Sequence, residues 1–255
     1  MTNLPSLTER NVLIQSRLPR ERLGFRDGDR GTHTSRTIML AELRLLLQGN
    51  PATATKSDYK ASIIDDNILG KPTQSTRQVT AQRLSQLYSL DTSVTVFRLL
   101  RFFWTDHQAQ PILALLCAMA RDPLLRMTAL PILQAAPGQV AGKHEMEHII
   151  AQAAPNRFSP STLSAVARNA SSSWTQSGHL TGRQRKIRTQ PVVTVASVAY
   201  AMSLGYLEGD RGLLLFETMW MKLLGIPTSV AISLVIEASR RGWLDYRGVG
   251  STVVQ

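Results

Sequence analysis

The run Lys143-His144-Glu145-Met146-Glu147-His148-Ile149 contains the spacing His-Glu-x-x-His. Two histidines four apart share one face of a helix, where they can hold zinc while the intervening glutamate activates a bound water. Three features argue against that chemistry here. Glu147 puts a charge at a position that zinc proteases leave uncharged, because in them this helix forms a buried wall of the active site. A catalytic zinc also needs a third protein ligand; no Asp or Glu follows until Glu208, and the next histidine, His179, lies in a glycine-bounded basic segment. Finally, the Ala- and Gln-containing sequence after Gly142 describes an exposed amphipathic helix with Ile149 and Ile150 turned inward. Other chemistry is scarcer. The chain has no G-x-x-x-x-G-K-[ST] phosphate loop and no G-x-S-x-G nucleophile elbow, and Cys117 sits in an apolar run where a thiol is inert. The carboxylate pairs Asp65-Asp66 and Asp27-Gly28-Asp29 lack the neighbouring Lys and Glu of a magnesium nuclease and read as turn and cap residues. The expectation is a non-enzymatic protein without cofactor or metal, a zinc-dependent hydrolase being the remotest alternative.

What the chain does offer is positive charge. With 29 Lys and Arg against 18 Asp and Glu, its net charge of +11 points to a polyanionic partner. From Ile149 through Leu207 there is no acidic residue, while Arg157, Arg168, Arg183, Arg185, Lys186 and Arg188 all fall in that window. A solvated face would explain a charge run, but solubility is served equally well by mixed signs. The Ser-rich stretch Ser171-Ser172-Ser173 with Gln176 would bring small donors close to a nucleic-acid backbone, and the basic residues 183–188 suit a hairpin wing lying along phosphates. A disordered basic loop is the alternative for that segment.

These side chains need elements to position them. A helix is expected over 36–47, stopped by Gly49-Asn50-Pro51, and another over 56–66. After the break at 69–73 a further helix opens on an N-capping Ser75 and runs to about Leu87, giving a helix-turn-helix layout. On it Val79, Leu84 and Leu87 face inward, leaving Ser75, Arg77, Gln78, Gln82 and Arg83 as donors for phosphates and base edges; an ordinary surface helix fits the segment equally. Residues 92–136 are too apolar for exposed helices and form the middle of the core, with Phe97, Phe102, Phe103 and Trp104 packed rather than offered to bases. Ser159-Pro160-Ser161-Thr162 opens the helix that leads to the serines. Beyond Pro191 we expect helices over 192–204, 213–223 and 228–241, the last capped by Thr228, and then two short strands around Gly248 and Gly250, the first over 242–247.

The resulting fold class is mainly α, with two helix-turn-helix or winged-helix-like units and short β-hairpin wings. Its expected parts are a flexible basic arm at 1–34, a helical domain at 35–140 and a winged-helix-like domain at 141–255. The N-terminus mixes charges without an apolar core, which is not a secretory signal. The longest uncharged stretch, 192–207, is shorter than the ~20 residues a bilayer requires. A lone cysteine fits a reducing compartment, so the expected location is the cytoplasm, with no membrane partner.

The segments SSSWTQSGHLTGRQRKIRTQP (171–191), YAMSLGYLEGDRGLLLFETMWMKLLG (200–225), RTIMLAELRLLLQGN (36–50) and LLCAMARDPLLR (115–126) resemble the BrxA family of bacterial BREX phage-defence systems. The likeness covers residues 35–255 in ordered short matches and leaves the arm outside it. The resemblance implies a helical, non-enzymatic protein that binds double-stranded DNA beside a methyltransferase and other BREX components. A protein-interaction or RNA-binding subunit of a defence complex is the alternative.

Overall fold

The computed structural model describes residues 19–141, 143–249 and 252–254. Residues 1–18 of the expected arm lie outside the described residues. From Pro19 to Thr34 the chain is not a loose arm but part of the body. It forms a short helix α1 (Arg20–Leu23) and a 3-10 turn (Thr32–Thr34), burying Phe25 and His33. Gly24 ends α1 in the left-handed region, at φ 111°, and a side chain there would collide with Val94. This strap was illegible from periodicity because its partners are distant in sequence. Arg26 N donates to Ala120 O at 2.9 Å, and Asp122 gathers the 3-10 turn.

The remaining helices follow from caps and apolar faces. Helix α2 (Leu40–Gln48) buries Leu40, Leu43, Leu46 and Leu47 and stops at Gly49. Helix α3 (Lys56–Ile64) opens with a reciprocal capping box between Thr55 and Asp58. Helix α4 (Gln74–Tyr88) begins before Ser75, because Thr73 rather than Ser75 accepts the cap bond, from Thr76 N at 3.2 Å. Its buried face is Thr80, Ala81, Leu84, Leu87 and Tyr88, and Val79 points outward, contrary to expectation.

Helix α5 (Thr95–Phe103) leads to α6 (Gln110–Arg121), which is buried from Ile112 to Ala120 and forms the axis of the core. Of the aromatic group, Phe97, Phe103 and Trp104 are buried while Phe102 stands out, its ring 4.9 Å from that of Phe103. Short helices α7 (Pro123–Met127) and α8 (Ala129–Gln134) follow. Asp122 opens α7, its carboxylate accepting from Leu124 N and Leu125 N, with Pro123 at the first helical position where no N–H is needed.

Helix α9 (Lys143–Ala153) turns Met146 and Ile150 inward and leaves Ile149 half-buried. Helix α10 (Pro160–Gln176) starts where the sequence predicts, on Ser159 with Pro160 behind it. It feeds a hairpin of β1 (Leu180–Thr181) and β2 (Ile187–Arg188), paired antiparallel with Leu180 opposite Arg188. Val140 bridges Ile187 on the far side, so residues 139–141 extend this small sheet.

Helix α11 (Val195–Glu208) begins later than 192, after Thr194, whose N–H donates to Ser197 Oγ at 2.9 Å, and it ends on left-handed Gly209. The expected helix at 213–223 is instead a 3-10 segment (Gly212–Glu217) and a short α12 (Met219–Lys222). Gly205 explains the close approach of that segment, since a Cβ there would lie 2.8 Å from the Thr218 methyl. Helix α13 (Thr228–Arg240) takes Pro227, not Thr228, as its cap residue and has no side-chain cap bond. The C-terminal strands β3 (Arg247–Val249) and β4 (Thr252–Val254) pair antiparallel; the first lies later than the expected 242–247 and takes in Gly248.

The molecule is mainly helical. One apolar cluster runs from Phe25 to Ala238, so the boundary drawn near residue 140 does not coincide with a break in the core. A satellite cluster of Leu124, Ile150 and Val166 holds α9 and α10 to α7. Trp174, Trp220, Tyr59, Tyr88 and Tyr200 are among the largest fully buried side chains. Among the described residues no helix is long and apolar enough to cross a membrane.

Candidate nucleic-acid interface

The fourteen residues singled out by sequence separate into three groups. One group is exposed and shares helix faces. On α4, Ser75, Gln78 and Gln82 are exposed and recur at helical spacing, with Val79 between them. No acidic residue sits in the first turn of α4, leaving its N-terminal positive dipole uncancelled there. On α10, Arg168 is exposed and Ser172 half-buried, and Ser161 and Ala165 complete the same stripe one to three turns earlier. Arg183 and Arg185 are exposed on the turn of the β1–β2 hairpin.

A second group is half-committed to the fold. Arg77 donates from Nε to Lys71 O at 3.3 Å and from Nη1 to Ile64 O at 3.2 Å, clasping the loop between α3 and α4. That loop, residues 65–73, is longer than the three- or four-residue turn of a compact helix-turn-helix. Arg83 donates to the Gln86 side chain at 3.0 Å. Lys186 donates to Thr175 Oγ1 at 2.9 Å and Gly182 O at 2.7 Å, tying the hairpin turn to α10; partial burial lowers its pKa.

The third group does not face solvent, and here the expectation is corrected. Arg188 is 5% exposed and serves the interior, donating to Ile132 O at 3.1 Å, His179 O at 3.3 Å and Thr189 O. Burial draws its pKa down. A two-residue strand is too short for alternation to show which side faces in, and the register puts Arg188 inside. Ser171 and Ser173 are buried at 5% and 0% exposure, Ser173 against His33 of the strap. Gln176 is similarly engaged, accepting from Leu40 N at 3.2 Å and donating to Thr37 Oγ1 at 3.0 Å.

Carboxylates also reach this region from elsewhere. Asp29 pairs with Arg157, which removes that arginine from the free charge of the window. Glu147 lies between Lys143, at 3.2 Å, and His144. Burial raises its pKa, but the bonds from Lys143, Ser164 and His144 prevail and hold it below the usual carboxylate range. The His-Glu-x-x-His pair itself points outward, with the His144 side chain 94% exposed. Among the described residues no three of His, Cys, Asp and Glu are grouped as a metal site would require.

Sequence reasoning missed a buried polar chain beneath α10. His33 Nδ1 lies 2.9 Å from Asp122 Oδ2, and His33 Nε2 lies 2.8 Å from Ser173 Oγ. Ser–His–Asp is the connectivity of a hydrolytic triad. Here it is a structural clasp, because Ser173 and His33 are fully buried and the hydroxyl also accepts from Ile38 N and contacts Asn169 O as donor. Asp122 accepts five hydrogen bonds in all: from Thr32 N, His33 N and His33 Nδ1 at Oδ2, and from Leu124 N and Leu125 N at Oδ1. Burial raises its pKa, yet His33 and the N–H donors outweigh it and the net direction is downward. Sequence reasoning singled out neither Asp122 nor its distant partner His33.

At the other end of α10, His179 is wholly buried beside Trp174, with ring centroids 5.0 Å apart. Its Nε2–H donates to Leu223 O at 2.8 Å, so Nδ1 is the acceptor facing Ser177 Oγ at 2.8 Å, sharing that hydroxyl proton with Trp174 O at 3.0 Å. Burial pushes the imidazole pKa down to about 4; the Leu223 bond opposes this and nearby Arg188 adds to it. The hairpin is thus anchored by a neutral histidine. Searches for relatives returned no matching family model and no matching characterised protein.

Proposed function

We propose that this protein binds double-stranded DNA, without catalysing a reaction on it, through α10 and the β1–β2 hairpin. The carrying observation is the stripe of Ser161, Ala165, Arg168 and Ser172, with no carboxylate on its own helix and with exposed Arg183 and Arg185 beyond its C-terminal end; Ser164 beside it is engaged by Lys143 and Glu147 of α9. The order from α8 through the bridging strand at Val140, α9, α10 and the hairpin supports a winged-helix reading of residues 129–188. In that reading α10 enters the major groove and the hairpin follows a phosphate backbone. Helices α3 and α4 supply a second unit, whose Gln78 and Gln82 have the paired donor and acceptor that suit adenine. The resemblance to the BrxA family supports placing the protein in bacterial phage defence, beside other BREX components and in the cytoplasm.

The test is duplex binding by fluorescence anisotropy across a salt series. Each phosphate that the protein neutralises steepens the log–log slope by roughly 0.9, so R183A/R185A together flatten it by roughly 1.8. No duplex binding at low salt, or an unchanged slope in the double variant, overturns the proposal. Stronger binding to RNA, or co-purification of a protein partner with indifference to DNA, would favour an RNA-binding or protein-interaction subunit instead.

A further inference from the structure

Well-packed domains contain few voids larger than a water molecule. This one leaves a cleft of about 480 Å³, open to solvent at Tyr206 and Asp245, between α5, α11, the 3-10 segment 212–217, α13 and residues 243–246. We propose that the cleft is a binding site for a neutral, ring-containing small molecule, independent of the DNA-binding surface. Its volume lies within the range of roughly 300–1,000 Å³ typical of ligand sites. An apolar cavity of about 150 Å³ already takes up benzene, so this one accommodates two or three fused or linked rings.

The walls define the chemistry. Phe216, Trp243, Tyr206 and Tyr246 present aromatic surface, and Val235 and Leu215 close the sides with aliphatic groups. The Trp243 ring is held in place by edge-on contacts with Phe103 at 5.3 Å and Phe102 at 6.2 Å, so the wall is built before any ligand arrives. Arg211 covers the Tyr206 ring at 3.6 Å but spends donors on Tyr206 O and Asp210 O, so it need not seek an anionic ligand. The interior lining adds the hydroxyls of Thr95 and Ser203, while the lining carboxylate, Asp245, is exposed. An anion would be desolvated there without a counter-charge, whereas a neutral ring system with one hydroxyl or carbonyl finds both contact area and a hydrogen-bond partner.

The test is a titration of the full chain with N-phenyl-1-naphthylamine, a neutral three-ring fluorophore that brightens in apolar surroundings, with indole as unlabelled competitor. One saturable site, displaced by indole and accompanied by a rise in melting temperature, is the expected result. Val235→Phe and Leu215→Trp each place a ring in the cleft. Each should weaken the probe at least tenfold, equal to about 1.4 kcal/mol, while leaving cooperative melting unchanged. Non-saturable uptake by the wild type, failure of indole to displace the probe, or full affinity in a folded filling variant overturns the proposal. If one variant does not fold the other decides, and if neither folds the wild-type competition decides. DNA binding enters none of these readouts, so the two proposals fail separately.

Discussion

The anchor of the hairpin makes a specific claim about pH. His179 is buried neutral, with its pKa pushed down to about 4 from 6.5. In the unfolded chain the imidazole takes up a proton through about pH 6.5, whereas in the folded protein it resists until about pH 4. Between those values the unfolded state binds more protons, so stability falls as pH falls. The contribution is fully present at neutral pH and wholly absent below pH 4. At roughly 1.4 kcal/mol per pH unit it amounts to about 3 kcal/mol. For a chain of this size that is a melting-temperature drop of roughly 6–12 °C between pH 7 and pH 4. The control is His179→Gln, which keeps an N–H for Leu223 O but cannot titrate. It should be less stable than the wild type at pH 7, and the gap should close by about 3 kcal/mol as pH falls to 4. Urea unfolding at pH 7, 5.5 and 4.5, read by tryptophan fluorescence, measures both. A gap that stays constant with pH would refute the reasoning, as would an NMR titration of His179 with a midpoint near 6.5.

Three further outcomes follow from the same structure. Asp122→Asn keeps the shape but removes the charge that five donors share, and should cost about 3–5 kcal/mol by urea unfolding, as for other broken buried charge networks. Gly31→Ala would drive a methyl into the Asp122 carboxylate; the expected destabilisation is about 1–3 kcal/mol by urea unfolding, with no effect on the salt slope of DNA binding. Arg188→Ala and Arg183→Ala should diverge. The first lowers thermal stability, by uncovering the carbonyls of Ile132, His179 and Thr189, and the second leaves melting unchanged while weakening duplex binding. Equal behaviour of the two, by melting and anisotropy, would contradict the burial that separates them.

The elements were legible where local chemistry decides. Ser159-Pro160 opened α10, Gly49 closed α2, and the apolar run of α6 announced a buried axis, because caps and periodicity act within a few residues. Illegible were the features set by distant partners. Nothing local to Thr32-His33-Thr34 says that a carboxylate ninety residues on will organise it. Likewise Ser171 and Ser173 look like donors for a partner in a sequence, but both are buried, and Ser173 spends its hydroxyl inside the fold on His33, Ile38 N and Asn169 O. The basic run 183–188 looked uniform, yet the hairpin divides it into outward Arg183 and Arg185, a half-engaged Lys186 and an inward Arg188.

The Asp122 clasp also bears on how the chain is made. Asp122 leaves the ribosome ninety residues after Thr32 and eighty-nine after His33, and Ser173 one hundred and forty after His33. Until those residues are made, the strap has neither partner and waits exposed. Such distant closure slows assembly and joins the strap, α7 and α10 into one cooperative transition.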